Sequence, residues 1–300
     1  MHPIFVSRRD ALKAVAATAA LSLVSRGPQL VAAGADETTA AYRVKHGRIR
    51  QSVVPWCFNP MPVPELARHA AALGLQSVEL CDPKFWPMLK EKGLTPAIAS
   101  SHGFARGFAN LAEHEECLGI LRNRIEECAA AGVERVITFS GFRRGISDEE
   151  GINNMVLGLK KIVGLAETRG VTLCLEMLNS RVNVTMKGHP DYFCDDLERT
   201  VEICRRVGSE RLKVLFDLYH VQIMHGDLIT RIKRHASYIG HVHTAGVPGR
   251  GEIDETQEIN YPPLMHALLE IGYKGVVGQE FIPVRDKVAS LAQGVRICDV

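Results

Sequence analysis

At 300 residues the chain is long enough for one large α/β domain or two small ones, and it can bury a core without staples. Its 46% hydrophobic and 23% charged residues are those of a globular protein. The net charge of +2 is carried by residues 1–35, where Arg8, Arg9, Lys13 and Arg26 against Asp10 sum to +3; the remainder stands at −1, with no electrostatic footprint for nucleic acid.

The N-terminus reads as an address rather than as fold. Ser7-Arg8-Arg9-Asp10-Ala11-Leu12-Lys13 precedes an uncharged, alanine-rich run from Ala14 to Val24, and Ala33-Gly34-Ala35 offers a small-residue cleavage site. A charged start, a short apolar middle and such a site define a signal peptide. The paired arginines point to twin-arginine export to the periplasm, although Ala11 stands where such signals usually carry a bulky apolar residue. The apolar run is too short for a membrane span, so no stable span is expected once the signal is removed. Residues 36–48 read as a linker and 49–300 as the folded domain. None of the eight cysteines forms C-x-x-C, which argues against a structural zinc site; their disulfide status is left open.

Beyond the linker, short apolar runs alternate with helical patterns, the signature of βα units on a parallel sheet. Strands are expected at 51–54, 77–80, 97–100, 135–139, 172–177, 213–217, 239–244 and 275–280. Eight is the number that closes a single-domain (β/α)8 barrel. Helices are expected at 64–73, 113–131, 147–169, 194–207, 227–234 and 264–271. The third opens with the capping pattern Ser147-Asp148-Glu149-Glu150, and the first four end at Gly74, Gly132, Gly170 and Gly208, as helices feeding strands prefer.

In such a barrel the chemistry sits at the C-terminal strand ends. Four successive strands end in Glu176, Asp217, His243 and Glu280. Three carboxylates and an imidazole at one mouth repel unless a cation joins them. Oxygen-rich ligation with one nitrogen suits Mg²⁺ or Mn²⁺, with Zn²⁺ or Co²⁺ as further options. His241 and His243, two apart on a strand, share a face. His220 and His102 are candidate pocket donors. Arg250, between Gly249 and Gly251, is a candidate clamp for a substrate carboxylate. Glu252 is expected to support Arg250 or His243, and Trp56 and Phe58 are candidates for the pocket floor.

These residues carry a resemblance. Leu175-Glu176-x-Leu178-Asn179, Phe216-Asp217-x-Tyr219-His220, Gly240-His241-Val242-His243, Val247-Pro248-Gly249-Arg250, Glu258-Ile259-Asn260-Tyr261-Pro262 and Gly278-Gln279-Glu280-Phe281-x-Pro283 resemble the motifs of the hydroxypyruvate isomerase family, among the xylose-isomerase-like TIM barrels. The resemblance runs from about Arg48 to the C-terminus and is densest after Glu176. It implies that Glu176 and Glu280 are a catalytic pair and that Glu176, Asp217, His243 and Glu280 hold a divalent ion. It departs at His243, where bacterial members often carry glutamine and metal-dependent ketose epimerases carry histidine. The implied activity is interconversion of hydroxypyruvate and 2-hydroxy-3-oxopropanoate, or of a similar small hydroxy-carbonyl acid or sugar. A ketose 3-epimerase, an inosose-type dehydratase and a non-catalytic periplasmic sugar-acid binding protein are the alternatives. An abasic-site endonuclease on the same barrel is disfavoured by the charge. A homo-oligomer is left open.

Overall fold

The computed structural model describes residues 42–300; the expected signal at 1–35 and the first part of the linker lie outside them. Among the described residues no helix is long and apolar enough to cross a membrane. Seven parallel strands, β1 (Arg50–Val53), β2 (Ser77–Val78), β3 (Arg135–Thr138), β4 (Thr172–Glu176), β5 (Leu212–Asp217), β6 (Ile239–Thr244) and β7 (Val276–Gln279), form one sheet. Their order is β2-β1-β7-β6-β5-β4-β3.

The two sheet edges, β2 and β3, are joined by residues 95–99. Val78 and Leu80 donate their N–H groups to the carbonyls of Thr95 and Ile98 at 3.1 and 3.0 Å, and Ala99 exchanges bonds with Arg135 and Ile137 at 2.9 and 3.0 Å. The third expected strand is therefore present as a short irregular segment. With both edges paired, the sheet closes as a (β/α)8 TIM barrel.

Nine helices are described: α1 (Val63–Leu73), α2 (Trp86–Glu91), α3 (His114–Ala131), α4 (Asp148–Arg169), α5 (Leu197–Val207), α6 (Leu218–Met224), α7 (Leu228–Arg234), α8 (Tyr261–Glu270) and α9 (Lys287–Cys298). The caps follow the sequence. Ser147 Oγ accepts from the Glu150 N–H at 3.2 Å, and Gly74, Gly132, Gly170 and Gly208 end their helices in the left-handed conformation. Of these helices, α2, α6 and α9 were not expected. The last is seated by Asp286, whose carboxylate accepts from the Ala289 N–H at 2.8 Å.

The described end of the expected linker is tied down. The Asp299 carboxylate accepts from Tyr42 Oη at 2.6 Å and from the N–H groups of Lys45, His46 and Gly47 at 2.6, 3.0 and 2.8 Å. Residues 42–47 thus strap the two ends of the barrel chain together. All eight cysteines are free and buried.

Candidate active site

Strand register assembles the site. Asp217 on β5 pairs with His243 on β6, and His243 pairs with Gly278 on β7. Register partners point to the same face, so these three share a level of the barrel interior. A Cβ on Gly278 would lie 2.2 Å from Glu79 Oε1 and 2.8 Å from His243 Cδ2, so the position has to be glycine. Gly278→Ala is expected to cost on the order of 1–3 kcal/mol through overpacking and to tilt His243; a thermal melt and a Mn²⁺ titration check both effects.

One ligand atom each from Glu176, Asp217, His243 and Glu280 lies within 4.8 Å of the others, and all four side chains are buried. The structure thus brings together the four residues singled out at the strand ends. Asp217 is used twice. Its Oδ1 caps α6, accepting from the Tyr219 N–H at 2.8 Å, while Oδ2 has no hydrogen-bond partner. Glu176 Oε1 and His243 Nδ1 likewise lack an aligned partner. Buried polar atoms are almost always paired, and three orphans converging on one point have the donor chemistry of a divalent-ion site.

Glu79, read in the sequence only as a strand end, is fully buried beneath this cluster. It accepts from Ser52 Oγ, and its Oε1 lies 2.8 Å from His243 Nε2 and 3.0 Å from His241 Nε2. Carboxylates flank both ring nitrogens, Glu79 at Nε2 and Glu280 Oε2 2.8 Å from Nδ1. Against burial, Glu280, Glu176 and Glu79 push the imidazole well above its usual range, so an ion would take the place of the Nδ1 proton. Glu79→Gln is expected to weaken divalent-ion binding about 10- to 100-fold, measured by calorimetry. The clue available in the sequence was that Glu79 falls two residues after the inward Ser77 on an otherwise apolar strand.

The other expected residues divide. His220 is buried; its Nδ1 accepts from the Asn179 N–H at 3.0 Å, so the proton is on Nε2, which has no aligned partner and stands 3.6 Å from Asp217 Oδ2. It is a ready donor. His102 lines the cavity, but its nitrogens are occupied by the Arg106 carbonyl at 3.1 Å and Thr138 Oγ1 at 2.9 Å, so it contributes shape. Arg250, expected as a free clamp, is paired within the protein: Nη2 donates to Glu280 Oε2 at 2.6 Å and Nη1 to the Met186 carbonyl at 2.7 Å. Trp56 and Tyr219 hold its guanidinium between their rings at 5.1 and 5.6 Å. Only Nε is unpartnered.

Glu252 does not support Arg250 or His243. Its carboxylate is taken by the N–H groups of Val284 and Arg285 at 2.8 and 2.9 Å and by Ser290 Oγ at 3.1 Å, and it pins the loop that leads into α9. Trp56 floors the cavity and donates to Glu280 Oε1 at 3.2 Å. Phe58 is core, edge-on to Phe281.

The electrostatic settings of the two glutamates differ. Burial pushes the Glu176 carboxyl up to about 7, and Glu280 adds to the push against the opposing pull of His243, whose Nδ1 lies 3.7 Å away. Burial and Glu280 likewise raise Asp217 to about 6, against the pull of Arg250. Burial acts on Glu280 too, but Arg250 and His243 outweigh it and hold that carboxyl well below the usual range. His220 is held neutral by burial and by Arg250.

A closed parallel barrel with a buried carboxylate–histidine cluster at its C-terminal mouth defines a TIM barrel whose donor set could hold a divalent ion. Residues 67–298 match the xylose isomerase-like TIM barrel family, and the chain belongs to that family. It is 33% identical over 227 residues to the 2-oxo-tetronate isomerase of Cupriavidus necator, covering 71% of this chain and 85% of that one. It is 30% identical over 244 residues to a Homo sapiens protein provisionally named hydroxypyruvate isomerase, covering 80% and 81%. Both relatives carry isomerase names, and the chain is an enzyme of the isomerase class. A crystal structure of a family 2 AP endonuclease from Brucella melitensis superposes with a TM-score of 0.73 at 28% identity, covering 82% of this chain and 98% of that one.

Proposed function

We propose that the chain interconverts small hydroxy-carbonyl compounds, such as hydroxypyruvate and 2-hydroxy-3-oxopropanoate, by moving a proton between adjacent carbons through an enediolate. The observation that carries this reading is the buried cluster of Glu176, Asp217, His243 and Glu280 with its unpartnered atoms. These four residues would hold the divalent ion, Mg²⁺ or Mn²⁺ foremost and Zn²⁺ or Co²⁺ as alternatives. When bound, it would supply the positive charge that steadies two substrate oxygens.

The chain's own groups handle the proton. Glu280, ionised by its pairing with Arg250, takes the proton from carbon. Glu176, across the mouth, delivers a proton to the neighbouring carbon, the substrate's hydroxyl proton passes to the former carbonyl oxygen, and exchange with solvent moves the proton from Glu280 back to Glu176 before the next turnover. The His220 Nε2–H donates to a substrate hydroxyl. Arg250 keeps Glu280 ionised and has its Nε–H left for a substrate oxygen. Trp56 and the closed barrel floor keep water from the enediolate.

Incubation in D₂O with hydroxypyruvate, a 2-oxo-tetronate, pentoses and hexoses, with Mn²⁺ or with EDTA, tests the reading by proton NMR. Deuterium entering next to the carbonyl only with metal is expected. Exchange at a ketose C3 alone would move the assignment to a 3-epimerase, and binding without exchange to a sugar-acid binding protein. Export to the periplasm belongs to the same proposal: replacing Arg8 and Arg9 with Lys in the full-length chain should retain it in the cytoplasm, as fractionation would show.

A further inference from the structure

The cavity over the catalytic cluster measures about 230 Å³. Hydroxypyruvate has about seven heavy atoms; at less than a water's share of roughly 30 Å³ each, it fits within that volume. The remaining wall, away from Glu176 and Glu280, is largely apolar: Leu80, Phe104, Ile137, Phe139, Leu178 and Met186. Ser100, Ser101, His102 and His189 interrupt it; Ser101 Oγ donates to the Ile137 carbonyl and both His102 nitrogens are engaged. His189 lines the same cavity, is 6% exposed, and its ring makes no hydrogen bond to any described residue.

The imidazole is held in place by what surrounds it. It packs on Phe104 with ring centroids 4.2 Å apart, and it lies 6.1 Å from the ring of His220. The loop that carries it is fastened at both flanks. The Lys187 carbonyl accepts from Asn179 Nδ2 at 2.9 Å and from Tyr219 Oη at 2.7 Å, and the His189 N–H donates to the Asn179 carbonyl at 2.8 Å. A Cβ on Gly188 would sit 2.1 Å from the Val182 carbonyl oxygen, so glycine there lets the loop close. Burial, together with Arg250, lowers the imidazole to about 4, so at neutral pH it is uncharged and can both donate and accept one hydrogen bond. A fastened imidazole that faces a cavity and is engaged by no hydrogen bond within the protein is placed to bind a ligand there.

We propose that His189 binds a hydroxyl on a carbon beyond the reacting pair, and that the substrate is a hydroxy-carbonyl compound of four or more carbons. This inference rests on the isomerase reading above, and the experiment separates the two. The metal-loaded enzyme and its His189→Phe and His189→Gln variants are compared on hydroxypyruvate, a four-carbon 2-oxo-tetronate, erythrulose and a ketohexose, by exchange in D₂O. His189→Phe keeps the aromatic packing and removes the hydrogen bond; His189→Gln keeps a hydrogen-bonding group.

We expect the wild type to favour the longer substrates. His189→Phe should lose about 10- to 100-fold in kcat/KM on them, chiefly through KM, and less than about twofold on hydroxypyruvate, with His189→Gln in between. The acid and neutral four-carbon compounds distinguish a 2-oxo acid from a ketose. Equal losses on all substrates, or none on the longer ones, would overturn the proposal while leaving the isomerase reading intact. If the metal-loaded wild type exchanges none of them, the isomerase reading falls. Calorimetry with erythrulose then decides the role of His189, and equal affinity of wild type and His189→Phe would overturn it.

Discussion

Replacing Glu280 with Gln is expected to lower turnover by about 10³-fold or more, the upper range for removal of a general base, with the protein still folded. Glu176→Gln should do the same, because neither amide can carry a proton between carbons. The two variants should part in stability. Glu280 is bound to Arg250 at 2.6 Å, and both are buried. Without it the guanidinium keeps Asp217 at 3.6 Å as its nearest carboxylate, so Glu280→Gln should cost on the order of 3 kcal/mol, the low end for breaking a buried pair. Glu176 Oε1 has no partner to lose, and its carboxyl is raised by burial and by Glu280. Glu176→Gln should leave the metal-free melting temperature unchanged or slightly higher. D₂O exchange and a melting curve on each variant settle both points. Near-normal exchange in either variant would remove that glutamate from the mechanism.

The part of this site legible in the sequence was the part that repeats with the strand period. Glu176, Asp217, His243 and Glu280 each lie at or beside the end of a β run, and parallel strands bring such ends to the same mouth: Asp217 pairs with His243, Glu176 with Leu215, and Glu280 follows the end of β7. The pairing of Arg250 with Glu280 was not legible. It joins residues 30 apart in the chain, and an arginine between glycines reads alike whether it waits for a ligand or is engaged by the protein. Glu252 was misplaced for the same reason, since its three donors come from residues 284–290. Helix α6 escaped because it begins at the strand end without a loop, and Asp217 serves as its cap and as a site residue together. The third strand was over-read because an apolar run does not show how irregularly its backbone pairs with β2 and β3. His189 could not be picked from a polar loop, since only the folded loop shows it buried and unpartnered.

Stripping the divalent ion should abolish exchange and lower the melting temperature, and the size of the drop should depend on pH. With the ion at about 100 times its dissociation constant the folded state gains about 2.7 kcal/mol, roughly 5–10 °C for a domain of this size. The pH dependence follows from the groups that meet the ion. Burial is the largest influence raising Asp217 to about 6 and Glu176 to about 7. In the metal-free fold each therefore keeps its proton at pH values where the unfolded chain has lost it. Their contribution to metal-free stability is complete below the ordinary carboxylate range and is lost as pH climbs through about 6 and 7. The ion needs both carboxylates ionised and the Nδ1 lone pair of His243 free, so it competes with these protons. The melting increment produced by Mn²⁺ should then be small near pH 5 and still be growing above pH 7, because, against burial, Glu280, Glu176 and Glu79 hold a proton on His243 well above the usual imidazole range. Taking the difference between loaded and stripped protein at each pH cancels the buried His102 and the half-buried His225, which touch none of the four proposed ligands. An increment that stayed constant across this range would mean the ion binds away from Glu176 and Asp217. An increment of zero at every pH, with exchange unaffected by EDTA, would mean that the cluster works as a proton-sharing network on its own.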